Sequence, residues 1–358
     1  MACPVGKKDD GTPCAGAVPK PVAAGGPSTE RCRDHQVELV PYCGAEGCQR
    51  PLPPRWLEVT TTCLAMAGTR ASGKTVYVAV AAGLLVLWGK RNNLSIGHYD
   101  EVSRLNFEKR YGRLEARSRM FDSTEPEIPG AKVRQAHQEP VLLRIRKPGQ
   151  RDHVLVLRDV AGENLQDPAM SPAHFRFLAT ADGMILMIDP SESGELRQAL
   201  AGSVALPEST FDPAAVWGNL DALQNAVIGA SAQMVPIAVT ISKFDLVHRA
   251  AQNPGSRLSA ALSARGSRMH QDPSLRVGGI DEVDARLLDQ ELRSLLGYLD
   301  QSMVVTKADV YARRGPVRMF AVSAMGHAPS AGRVAAHGTI PFRCTDPIKW
   351  FLQRAEVL

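Results

Sequence analysis

From Trp56 onward the chain alternates short apolar runs with longer mixed ones. "WLEVTTTCLAMAG" climbs into an apolar run and ends in glycine, which reads as a strand entering a turn. "VYVAVAAGLLVLWGK", Val76 to Lys90, is apolar on every face and too short for the ~20 residues of a bilayer span, so it predicts a buried helix. "PVLLRIRK" and "HVLVLRDV" are branched and Leu-rich and predict two neighbouring strands. "GMILMIDP", "MVPIAVTISKFD" and "VRMFAVSAM" predict three more. Helical patterns fall between them: His98 to Met120, Ala214 to Ile228, Asp281 to Leu299, and a closing "DPIKWFLQRAEV" with Asp346 as its cap. Pro207 to Pro213 and Asn253 to Gly279 read as loops. Buried strands alternating with helices predict an α/β fold: a mainly parallel sheet with helices on both faces.

The first 55 residues break this pattern. They are rich in Gly and Pro, have few apolar runs and hold five of the seven cysteines, and "RPLPPR" (Arg50 to Arg55) reads as a linker. The expected division is a module over 1–55 and a larger domain with long insertions over 56–358. A segment this small cannot build a core and needs a staple. An odd cysteine count crowded at one end, with no apolar signal core in Met1 to Lys20, favours a metal over disulfides. Cys3, Cys14, Cys32 and His35 are spaced C-x10-C-x17-C-x2-H, and Cys43 and Cys48 offer a competing pair. Three thiolates and an imidazole suit tetrahedral Zn²⁺. Four of these six residues are expected to hold one ion; a second ion would need further ligands. Cys63 and Cys344 read as ordinary thiols, and His98, His137, His174, His248 and His270 show no ligand spacing.

Charge adds little. The excess of 42 basic over 37 acidic residues, net +5, is spread along the chain and favours a solvated surface over a nucleic-acid footprint. "GKKDDGTP" mixes both signs without aromatic residues, which also counts against a nucleic-acid binder. The expectation is a soluble, cytoplasmic protein of a GC-rich bacterium without a membrane span.

The chemistry begins at "GTRASGKT", which satisfies G-x-x-x-x-G-K-[ST] through Gly68, Gly73, Lys74 and Thr75. Glycines let backbone N–H groups converge on phosphate oxygens, and the following helix N-terminus adds positive potential. Lys74 is placed to reach the β and γ phosphates and Thr75 to ligate Mg²⁺. Gly68, Thr69, Ser72, Gly73, Lys74 and Thr75 are therefore the expected phosphate cradle. "RDVAGE" follows a strand: Asp159 is suited to the Mg²⁺ shell, and Gly162 to a backbone contact with the γ phosphate. In "TISKFD", Asp245 can accept from guanine N1 and N2 while the Lys243 stem covers the base. After the last strand, "VSAMG" places Ser323 and then Ala324, whose N–H can donate to guanine O6.

This ordered set resembles a Ras-like, translation-factor-related P-loop GTPase over residues 56–358. "SGKTVYVAVAAGL", "RDVAGE", "ISKFD" and "DPIKWFL" resemble the bacterial double-GTPase domains found beside predicted conflict and signalling systems. "CPVGKKDDGTPC" and "CRDH" resemble small treble-clef-like zinc modules. The resemblance implies GTP/GDP and Mg²⁺ binding and a switch of two mobile loops, with a protein partner at those loops or at the zinc module. Some positions depart from the pattern. Ser242 stands where Asn or Thr is usual, Glu163 where the water-positioning Gln is usual, and Arg70 at the loop tip where many relatives have glycine. Thr124 is the candidate switch threonine for Mg²⁺. Lys74, Glu163 and Arg70 are the expected catalytic residues. Glu163 near the γ phosphate implies slow GTP hydrolysis by the chain alone. Three alternatives stay open: a P-loop ATPase or kinase, a nucleotide-binding scaffold without turnover, and a nucleic-acid binder using the zinc module.

Overall fold

The computed structural model describes residues 7–8, 10, 12–14, 31–42, 51–68, 71–115, 140–159, 181–204, 206, 234–253, 257–262, 265–327 and 339–358. Thr69, Arg70, Thr124, His137, Gly162, Glu163, His174, Cys3, Cys43, Cys48, the expected 207–213 loop and the expected 214–228 helix lie outside these residues. The chain divides into two compact units, 1–60 with 147–153 and 61–146 with 154–358.

Seven strands form one sheet: β1 (Thr60–Gly68), β2 (Ser95–His98), β3 (Val141–Arg146), β4 (His153–Asp159), β5 (Gly183–Ile188), β6 (Ile237–Ile241) and β7 (Val317–Ala321), in the order β2-β3-β4-β1-β5-β6-β7. β1 pairs parallel with β5, β5 with β6 and β6 with β7, while β2 runs antiparallel to β3. The expected mainly parallel α/β architecture is present. β5 and β6 are buried at every position, which is why their sequences are apolar apart from Thr240, whose hydroxyl donates to Ala238 O at 3.2 Å.

The pleat sends alternate residues to opposite faces. Met184, Leu186, Ile188, Val239 and Met319 join one core, with side chains from α3 (Gly194–Leu200), α4 (Phe244–Ala251), α5 (Arg257–Leu262), α6 (Glu282–Tyr298) and α7 (Ser302–Ala312). Ile185, Met187, Ala238 and Phe320 join the other, with α1 (Lys74–Arg91), α2 (Glu101–Glu115) and α8 (Asp346–Arg354). Each fully buried Leu, Ile, Val, Met or Phe among them contributes about 1.5–3 kcal/mol. α1 buries residues around most of its circumference, matching its unbroken apolar sequence.

Several expectations need correction. The segment opening at His98 is not helical there: Ser95–His98 is an edge strand, and the helix starts at Glu101. Its four residues are too few for periodicity to register. The 253–279 loop contains α5 and a 3-10 turn at Arg268–His270. Asp346 does not cap α8; it is the first helical residue after Thr345, whose hydroxyl donates to Ser274 O at 2.9 Å. Asp346 instead accepts from Arg343 Nε at 2.8 Å, and the same buried guanidinium pairs with Asp284. Burial pushes the Asp346 carboxyl up to about 6, against the pull of Arg343 and Lys349. Among the described residues no helix is long and apolar enough to cross a membrane.

Candidate functional site

β1 stops at Gly68, whose φ of +145° lies outside the usual range of other residues. A Cβ there would also come within 2.5 Å of Met187 O on β5, so glycine is required for space as well as conformation. Gly73 then sets the first turn of α1 with a φ of +86°. Ser72 is fully buried beneath the turn. Lys74, only 6% exposed, folds its Nζ back to donate to Gly68 O at 3.0 Å. An ammonium this buried needs acceptors, and the loop carbonyl supplies one.

Thr75 Oγ1 donates to Asp159 Oδ2 at 3.1 Å, joining the first turn of α1 to the end of β4. Arg110 of α2 donates to the same oxygen at 3.0 Å. Asp159 Oδ1 is buried and has no hydrogen-bond partner in the described structure. A hydroxyl beside a carboxylate with one unserved oxygen is a hard-oxygen donor set that fits Mg²⁺. Among the expected cradle and metal residues, Gly68, Ser72, Gly73, Lys74, Thr75 and Asp159 converge at this end of the sheet.

The other end of the same carboxyl edge is built from β5, β6 and β7. Lys243, with a φ of +46°, precedes α4, and its Nζ pairs with Asp189 Oδ2 at 2.6 Å. Asp189, just after β5, also accepts from Ser191 N–H at 2.9 Å. Ser242 Oγ donates to Ile188 O at 3.0 Å, tying β6 to β5. Ser323 Oγ donates to Asp245 Oδ1 at 2.5 Å and accepts from Gly326 N–H at 2.9 Å. Ala324 follows in the same turn. Asp245 and Ser323 are thus brought together, while Lys243 turns to Asp189. Sequence reasoning missed Asp189 and Arg110. An Asp ending a buried strand before Pro190 was a usable signal for the first. Nothing in "FEKRYGR" distinguishes Arg110 from its basic neighbours.

The stacked rings of His248 and His270 lie 5.1 Å apart, each bonded to a backbone carbonyl, so both are structural. Cys344 is buried and Cys63 partly so.

In the N-terminal module, Cys14 Sγ lies 3.7 Å from Cys32 Sγ, which lies 3.6 Å from His35 Nδ1. All three ligand atoms fall within 4.8 Å of one another. Tetrahedral zinc with bonds of about 2.3 Å to sulfur and 2.0–2.1 Å to nitrogen requires ligand separations of about 3.8 and 3.6 Å. The geometry fits. Burial opposes ionisation of Cys32, but hydrogen bonds from the His35 backbone and ring, Asp34 and Cys14 outweigh it and hold the thiol down to about 6. A thiolate is the form a metal takes.

A glycine loop between β1 and α1, with carboxylates following neighbouring parallel strands, defines the class: an α/β P-loop nucleoside-triphosphatase fold. The chain belongs to the double-GTPase 2 family, whose model matches residues 62–278. Ser323 and Ala324 lie beyond the matched residues. A relative in Mycolicibacterium smegmatis, described as a putative ESX-1 scaffolding and assembly protein, SaeC, is 33% identical over 336 residues, covering 93% of this chain and 84% of that one. A crystal structure of the bacterial selenocysteine-specific elongation factor EF-Sec is similar at 14% identity and a TM-score of 0.28. The match covers 74% of this chain and 26% of that one, so this chain spans about a quarter of that protein.

Proposed function

We propose that the chain is a GTP-binding switch. Gly68, Thr69, Ser72, Gly73, Lys74 and Thr75 hold the phosphates. Thr75, Asp159 and Thr124 attend to Mg²⁺, and Gly162 meets the γ phosphate. Lys243, Asp245, Ser323 and Ala324 read guanine. The observation that carries the reading is the Thr75–Asp159 hydrogen bond, which brings together two residues 84 positions apart that a phosphate-bound cation requires side by side. When bound, the Mg²⁺ ion neutralises charge developing on the phosphoryl oxygens. Lys74 would release Gly68 O and turn to the phosphates.

Turnover by the chain alone is slow in this reading. An anionic Glu163 would face the γ phosphate, where an amide normally orients water, and a partner supplies what is missing, a contribution of about 10³ to 10⁵ in such switches. Single-turnover hydrolysis measures this, and Glu163→Gln should not reduce the rate. Rapid turnover that is lost on changing Glu163 or Arg70 would place the whole apparatus in this chain. Competition between GTP and ATP tests the base: equal affinity would sink the guanine assignment.

The scaffolding description of the relative favours a second reading, a nucleotide-dependent scaffold whose output is assembly. Nucleotide-dependent partner capture without turnover would select it. In both readings the 1–55 module is a zinc-held docking element on a GTPase domain spanning 56–358, in the cytoplasm of a bacterium. Cys14, Cys32 and His35 are three ligands, and one of Cys3, Cys43 or Cys48 is the fourth. Metal analysis of freshly purified protein should give at least one Zn²⁺ per chain. Chelation should unfold the module, because metal binding and folding are coupled in so small a unit. Metal-free protein with an intact module would refute the assignment.

A further inference from the structure

Asp159 is crowded on one oxygen and unserved on the other. Oδ2 accepts from Thr75 and Arg110, whereas Oδ1 is buried with no hydrogen-bond partner in the described structure. The Arg110–Asp159 pair is nearly dry, with side chains 12% and 1% exposed. Arg110 comes from α2, the helix between β2 and β3, and its guanidinium lies 5.2 Å from the centroid of the Tyr111 ring. Buried Phe107 and Tyr111, with ring centroids 4.8 Å apart, seat this helix in the core. The guanidinium is therefore presented by a packed helix.

We propose that Arg110 is an internal rival of the divalent cation for Asp159. It latches the metal-side carboxylate when the metal is absent and raises the Mg²⁺ concentration that the nucleotide complex requires. This rests on the reading of Thr75 and Asp159 as the metal side of the site. Two cations sharing one carboxylate in so dry a place repel each other with little screening. Mg²⁺ can approach the unserved Oδ1, but the Arg110 charge on Oδ2 opposes it, so metal binding weakens the Arg110 pair. Because Phe107 and Tyr111 seat α2 in the core, the pair loosens by movement of the Arg110 side chain.

The test uses the full chain and a fluorescent N-methylanthraniloyl-GDP. Its affinity is measured in EDTA and across a Mg²⁺ series for wild type, Arg110→Gln and Arg110→Lys. The Gln variant should need about one-tenth as much Mg²⁺ for its half-maximal effect, with affinity in EDTA unchanged. The Lys variant keeps the charge but loses the planar fork, and should shift about threefold in the same direction. An unchanged or raised Mg²⁺ requirement in the Gln variant overturns the latch. So does a loss of affinity in EDTA, which would make Arg110 a phosphate ligand or a merely structural residue. Should Arg110→Gln fail to fold, the Lys variant decides: a Mg²⁺ requirement equal to wild type overturns the proposal. Wild type that binds no guanine nucleotide in EDTA or Mg²⁺ overturns the nucleotide reading beneath it, a failure distinct from that of the latch alone.

Discussion

The two ends of the carboxyl edge are prepared differently. At the end proposed for the base, Asp189 holds Lys243 and Ser323 holds Asp245. These contacts leave Asp245 an oxygen for a purine edge. At the end proposed for the phosphates, the candidate ligand groups are held within the protein: Lys74 by Gly68 O, and Thr75 by Asp159, which Arg110 also holds. Reading a neutral base edge calls for fixed geometry, because discrimination comes from donors and acceptors that cannot move to suit a wrong partner. Holding a polyanion and its cation brings large charges into a space where Lys74 is already buried on Gly68 O and Asp159 is served on only one oxygen. In the proposed reading the base end is preorganised, and the phosphate end would exchange partners when a nucleotide binds.

Lys74→Ala should break the phosphate end with the largest effect. It removes the buried cation, and two charge-assisted bonds of about 2–3 kcal/mol each predict a loss of roughly 1,000-fold or more in GTP affinity. Calorimetric titration reads it, and unchanged affinity would dismiss the phosphate cradle. Asp245→Asn should act at the base end and cost less. Asn keeps one acceptor, so one of two bonds survives, and the loss should be on the order of 100-fold for GTP. Xanthosine triphosphate, whose edge inverts part of the donor pattern, should gain. Equal loss for both nucleotides would make Asp245 a fold residue.

The base and phosphate ends were legible to different degrees. Strands β5 and β6 announced themselves because burial on both faces leaves a nearly unbroken apolar run, and the glycine loop because only glycine tolerates its backbone. Asp159 and Asp245 were readable from their places at strand ends. What stayed hidden were partnerships between distant segments. Asp189–Lys243 spans 54 positions and Arg110–Asp159 spans 49, and no local spacing encodes either. The edge strand Ser95–His98 hid because three of its four residues are neither hydrophobic nor branched. Asp346 reads as a cap because Asp before Pro at a helix start usually is one; here Arg343, buried to 1% exposure, claims the carboxylate.

The smallest expected effect sharpens the comparison most. Ser323 makes no charged contact of its own with a nucleotide in this reading; it acts by holding Asp245 and by accepting from Gly326 N–H. If the base end is truly preorganised, Ser323→Ala removes orientation and leaves the Asp245 charge. Losing one such hydrogen bond is worth about 1 kcal/mol, so GTP affinity should fall by only about three- to tenfold. The diagnostic is selectivity. Inosine triphosphate lacks the exocyclic amine and so makes one of the two bonds to Asp245. A wandering carboxylate should lose more with GTP than with inosine triphosphate, narrowing the ratio between them. The phosphate end should be untouched, so the Mg²⁺ requirement should match wild type. Parallel titrations of the two nucleotides, with and without Mg²⁺, read all three quantities. A preserved GTP-to-inosine ratio would mean that Asp245 holds its place without Ser323, and that the rigidity of the base end comes from the strand ends alone.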